Sequence, residues 1–175
     1  MSSGPWIQTF TGRRVFLANP DEGQIDIVDI AHALARLCRY TGHTSRHYSI
    51  AEHSVHVCHQ LPGPLAFDGL MHDAAEAYLG DVSAPLKSLL PDFRRIEKHM
   101  ESVIARKFGL ATVLHRAVKE ADLRMLFTER EQLLPDRLPW DGEDDFPPYA
   151  LDLSAPCEAA DAERMFLDEF RGRTT

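Results

Sequence analysis

Residues 71–87, MHDAAEAYLGDVSAPLK, set an imidazole and a carboxylate side by side, His72 and Asp73, one step inside an otherwise apolar run. The spacing predicts a helix over residues 65–79, ended by Gly80 as its C′ residue. A helix of that kind buries one face, and polar groups buried there cost free energy unless a partner satisfies them. A metal ion is one of the few partners that suits both groups. Adjacent helical residues point about a hundred degrees apart, so the two can share one ion only in a crevice between helices.

The rest of the chain predicts helices to form that crevice. Ile27, Ile30, Ala31, Leu34 and Leu37 recur at helical spacing, with Asp26 and Asp29 near the positive end of the dipole. Ser49 followed by Glu52 matches a capping box, opening a helix that carries His53 and His56 and is closed by Gly63-Pro64. After a break at Pro85, helices fit residues 91–108, ended by Gly109, and 112–133, which holds Asp122; a last one fits 157–170. Residues 6–17, WIQTFTGRRVFL, read as two β-prone runs around Thr11-Gly12. Residues 39–48, RYTGHTSRHY, read as a basic loop, and the Pro- and Asp-rich 134–156 as an irregular excursion across the surface. There is no internal repeat. The expected fold is all-α, a helical bundle with a small N-terminal β-hairpin, in one domain over 1–175: hairpin extension 1–25, core 26–133, irregular segment and C-terminal helix 134–175.

Composition narrows the function classes. The 175 residues suffice for one core without disulfides, and the net charge of -8 disfavours long nucleic acid, whose affinity comes from Lys and Arg on phosphates. A small phosphate ester stays open, because a few converging arginines bind it whatever the overall sign. The three cysteines contain no CxxC pair, which points to a reducing, cytoplasmic setting. No apolar run reaches the ~20 residues that span a bilayer, so no membrane is expected, and the N-terminus lacks the features of a signal peptide.

Four side chains on three predicted helices are the candidate ligands: His53, His72, Asp73 and Asp122. Such donors suit one divalent ion among Mn, Co, Zn, Ni, Fe and Mg. Taken alone, His53 is more often a hydrogen-bonded core histidine, and Asp73 is satisfied equally by an arginine or a cap. The pair, with Glu76 one turn away, tips the reading toward metal.

Three segments, AEHS (51–54), HDAAEAYLGDVSAPLK (72–87) and VKEADL (118–123), resemble the HD-domain metal-dependent phosphohydrolases over roughly residues 26–133. The similarity is closest to the bacterial and phage branch with 5′-deoxynucleotidases and dNTP triphosphohydrolases. The resemblance implies an HD-domain bundle in which His53, His72, Asp73 and Asp122 are metal ligands. It puts Glu76 and Asp81 beside the ion, Glu76 to position water and Asp81 to protonate the leaving oxygen. Arg39 and Arg46 resemble the arginines such nucleotidases set against phosphate or sugar, although a solvated loop explains Arg46 equally well. Tyr40 stacks on a base or packs, and Lys87 contacts phosphate or is solvated; His43 and His47 stay unassigned. His56 and His59 are not matched by further histidines for a second metal, since His99 and His115 stand isolated, so one ion is expected.

The implied activity is cleavage of the 5′ phosphoester of a nucleotide, foremost a (deoxy)nucleoside 5′-monophosphate. A dNTP triphosphohydrolase is the alternative, if Arg13, Arg14, Arg39, Arg46 and Lys87 converge on a triphosphate. A catalytically silent nucleotide-sensing module is the alternative from another class. The family also implies a homo-oligomer.

Overall fold

The computed structural model describes residues 4–136 and 138–174, so the first three residues of the N-terminal extension lie outside the described part. The fold is all-α with one small antiparallel hairpin. Strands β1 (Trp6–Gln8) and β2 (Arg14–Phe16) pair with Ile7 opposite Val15. Gly12 turns the chain at φ 82°, a conformation that costs glycine little. Thr11, an uncommon turn residue, is there to dock the hairpin: its N–H and Oγ1 donate to the buried Asp29 carboxylate at 2.7 and 2.8 Å.

Asp29 lies on α1 (Ile27–Leu34), whose N-cap Asp26 accepts the Val28 N–H. Helix α2 (Ile50–His59) is the central rod, buried along nearly its whole length and packed against α3 (Leu65–Met71), α7 (Arg116–Leu133) and α8 (Ala159–Thr174). Only half of the expected capping box forms at its start. Ser49 accepts the Glu52 N–H, but the Glu52 carboxylate turns to Arg46. Gly69 of α3 faces α2, and a Cβ there would meet Leu61 Cδ1 at 2.4 Å and Val57 Cγ1 at 3.4 Å, so the two helices approach closely at this point.

The helix predicted over 65–79 is two helices. Between α3 and α4 (Glu76–Leu79) the chain tightens, with the N–H of Ala74 bonded to the Met71 carbonyl and that of Glu76 to the Asp73 carbonyl, each at 3.0 Å. The cause is local: His72 Nδ1 bonds the Gly69 carbonyl at 2.7 Å, the acceptor an unbroken helix gives to the Asp73 N–H. Pro85 does not break the chain either. It sits in the first turn of α5 (Ala84–Ser88), where its fixed φ suits a helix start. Helix α6 (Pro91–Phe108) ends on Gly109 in the left-handed conformation, as expected. Helix α7 begins later than the pattern predicts because the His115 side chain caps it, accepting the Ala117 N–H, and α8 runs on to Thr174.

Two loops do more than the sequence indicates. Arg39–Gly42 forms a 3₁₀ turn with Tyr40 and Thr41 both at φ 54°, a costly conformation for a β-branched threonine. Within 134–156, read as a surface excursion, Leu153 is buried with Tyr48, Met125 and Leu133, and Gln132 ties the segment at Leu151 and Leu153. The main core lies among α1, α2, α3, α6 and α8. Among the described residues no helix is long and apolar enough to cross a membrane.

Candidate metal centre

Helices α2 and α7 and the tightened turn after α3 bring the candidate donors together. His53 Nε2 lies 3.4 Å from His72 Nε2 and 3.1 Å from Asp122 Oδ1, and His72 Nε2 lies 3.7 Å from the same oxygen. Asp73 Oδ2 stands 3.2 Å from His72 Nε2 and 3.7 Å from His53 Nε2. Ligands sharing one small cation are held about 3 to 3.5 Å apart, a range that holds the 3.1, 3.2 and 3.4 Å separations, with those at 3.7 Å just beyond it.

Proton placement strengthens the fit. A carbonyl only accepts, so His72 Nδ1 carries the hydrogen it gives to Gly69, and the neutral ring keeps a bare lone pair on Nε2. His53 Nδ1 bonds Glu129 Oε1 at 2.5 Å, which leaves its Nε2 bare likewise. Two lone pairs then face each other beside two carboxylates, an arrangement that calls for positive charge at its centre. Without an ion, a proton fills that need in place of the cation. Burial opposes charge on His72, yet Asp73 and Asp122 outweigh it and raise its pKa well above the usual range. Burial likewise works against Asp73, but His72 draws it down to about 2. Against the same opposition, His53 and His72 hold Asp122 far below an ordinary carboxylate. His53, His72 and Asp122 thus form a donor set that can hold a metal ion.

The centre opens on a cavity of about 690 Å³ whose wall includes Asp73, Asp122, Glu76, Asp81, Arg39 and Lys87. Glu76 Oε2 is buried with no hydrogen-bond partner, and burial, reinforced by Asp73 and Asp81, pushes Glu76 up to about 9. Asp81 is raised too, first by burial. Arg39 reaches both Asp73 (3.5 Å) and Glu129 (3.0 Å), and Lys87 bonds Glu97 at 2.6 Å with Glu76 at 3.9 Å. Tyr40 lines the cavity while its hydroxyl donates to the Leu126 carbonyl and Glu129.

Arg46 is a correction. Its guanidinium grips the Glu52 carboxylate at 2.7 and 3.0 Å and donates to the Leu153 and His47 carbonyls, so its donors are spent on joining the 39–48 loop to α2 and the 134–156 segment. An Arg46→Ala variant is expected to lose about 2 to 4 kcal/mol of stability, the cost of stranding a buried carboxylate. Chemical denaturation reads that loss, and metal bound per folded molecule is expected to stay constant; a variant as stable as the parent contradicts the assignment. His56 and His59 point away from the centre, His59 pairing with Glu169 of α8 and His56 lying against Tyr48.

Sequence reasoning missed two residues. Glu129, fully buried, accepts from His53, Arg39, Tyr40 and Tyr48 at 2.5 to 3.1 Å. Arg39 and His53 overcome its burial and hold its pKa down. The available signal was its place two turns beyond Asp122 on one face of α7. Trp140, which lines the cavity, stood inside the segment read as a surface excursion.

No protein-family model matches the chain. It is 42% identical to the uncharacterized protein YfdR of Escherichia coli (strain K12) over 167 residues, 94% of this chain and 93% of that one. It is 34% identical to an uncharacterized protein of Rhodobacter capsulatus over 142 residues, 73% of this chain and 72% of the relative. With that identity running over nearly the whole of both sequences, the chain belongs to the family of Escherichia coli YfdR.

Proposed function

We propose that the chain is a metal-dependent phosphohydrolase of the HD type that cleaves the 5′ phosphoester of a nucleotide, foremost a (deoxy)nucleoside 5′-monophosphate. One observation carries the reading: two bare imidazole nitrogens and two carboxylates meet at the wall of a cavity of about 690 Å³, a size that suits a small-molecule ligand. His53, His72, Asp73 and Asp122 would hold a divalent cation, which when bound would supply Lewis-acid chemistry for water and a phosphoryl oxygen.

The chain's own groups account for the remainder. Glu76, whose buried Oε2 has no hydrogen-bond partner, orients the attacking water and takes its proton once a bound cation offsets the Asp73 and Asp81 charges that otherwise help keep its carboxyl protonated. Asp81, raised by burial, protonates the leaving 5′ oxygen as the P–O bond breaks and the water oxygen bonds to phosphorus. Arg39 offers the phosphate its guanidinium edge, already aligned by Glu129 and Asp73.

The cations favour a monophosphate over a triphosphate. Arg13 pairs with Asp26, Arg14 lies over Trp6 and Arg46 is held by Glu52. Among the described residues the cavity wall carries Arg39 and Lys87 as its bases, against Asp73, Glu76, Asp81, Asp122 and Asp141. A triphosphate has too few positive partners there. The test is a panel of ribo- and deoxynucleoside mono-, di- and triphosphates with several divalent metals, reading phosphate and polyphosphate separately. Phosphate released from monophosphates alone is the expected result. Triphosphate release selects the dNTP triphosphohydrolase instead, and inertness with retained nucleotide binding selects a sensing module.

A further inference from the structure

We infer that Trp140 grips the planar, aromatic end of the ligand by stacking, and that recognition there is by ring face rather than by base edge; the inference rests on the nucleotide reading above for what occupies the phosphate end. The cavity has two unlike halves. Asp73, Asp122 and Glu76 stand at one, while Trp140 contributes an aromatic surface along with Tyr40, Leu123 and Leu126. The rings of Tyr40 and Trp140 lie 6.3 Å apart and 34° from parallel.

Trp140 is braced rather than loosely placed. The Arg130 guanidinium, which does not line this cavity, sits 5.1 Å from the indole centroid. Arg130 is in turn bonded to Glu143 and to the Leu138 carbonyl, and Glu143 accepts the backbone N–H of Trp140 at 3.2 Å. A half-buried tryptophan held from α7 and bordering a cavity is a preorganised stacking surface. Every nucleobase has a π-face, so such a surface binds purines and pyrimidines alike, with alanine substitution weakening binding by roughly ten- to a hundredfold.

The experiment separates this inference from the hydrolase reading by using nucleosides, which carry no phosphate to cleave. Adenosine and thymidine are titrated into the full chain while tryptophan fluorescence is followed, with ribose 5-phosphate as the ring-free probe. Both nucleosides are expected to quench emission, in Trp6→Phe as in the parent, and ribose 5-phosphate is not. Calorimetry is expected to show nucleoside affinity falling roughly ten- to a hundredfold in Trp140→Ala and returning for the most part in Trp140→Phe. Quenching with no hydrolysis of any nucleotide supports the stacking site while removing the hydrolase. Hydrolysis with nucleoside affinity unchanged in Trp140→Ala overturns the stacking site and leaves the hydrolase standing, and so does a strong preference for one base that survives the substitution.

Discussion

An Asp122→Asn chain is expected to lose the capacity to hold a metal and, with it, the proposed turnover by three orders of magnitude or more, about 4 kcal/mol in the barrier. The substitution is nearly isosteric, so packing around α7 is kept while the donor becomes a neutral amide. In the parent, Asp122 Oδ1 is 3.1 Å from His53 Nε2 and 3.7 Å from His72 Nε2, where its charge would offset part of a divalent cation's. Metal content after desalting reads the loss directly. The rise in melting temperature on adding manganese or zinc reads it independently, because a ligand that binds the folded state stabilises it by mass action. Asp73→Ala is expected to behave alike, since its Oδ2 faces both imidazoles. If either variant holds metal as the parent does, that residue is no ligand.

The second large effect is expected at Glu129. Glu129→Gln keeps the shape but removes the charge that Arg39 and His53 face, and it turns one end of an acceptor for four side chains into a donor. Groups that orient a metal-bound histidine typically contribute 10- to 100-fold in metal affinity, and that drop is expected here. Stability is expected to fall by about 2 to 3 kcal/mol, because hydrogen bonds to a charged acceptor are lost inside the protein. Isothermal titration with metal, together with urea denaturation of the metal-free chain, separates the two effects. Unchanged metal affinity would show that His53 needs no such support.

What was legible in the sequence follows from how local each cause is. His72 and Asp73 were visible because polar residues inside an apolar helical run demand explanation, and Ser49 and Gly109 because caps act within a few residues, whereas Asp26 was read only as a charge near the helix dipole. Glu129 was hidden: the stretch around it, TEREQ, has the polarity of a solvent-facing helix, and its burial depends on Arg39, Tyr40, Tyr48 and His53, which are distant in the chain. Arg46 misled for the same reason, since its position in a basic loop gave no sign that Glu52 would claim it. The interruption after Met71 was invisible because the competition is between one imidazole and one peptide N–H for a single carbonyl, which no hydropathy pattern records.

Helix α7 holds Asp122 and Glu129, and the next residue along, Arg130, anchors the indole. Neighbouring positions on one rigid rod therefore serve separate tasks. Substitutions around Trp140, away from the Leu151 and Leu153 ties, could therefore reshape what the proposed site accepts without touching the candidate ion ligands, so relatives could diverge in preference there.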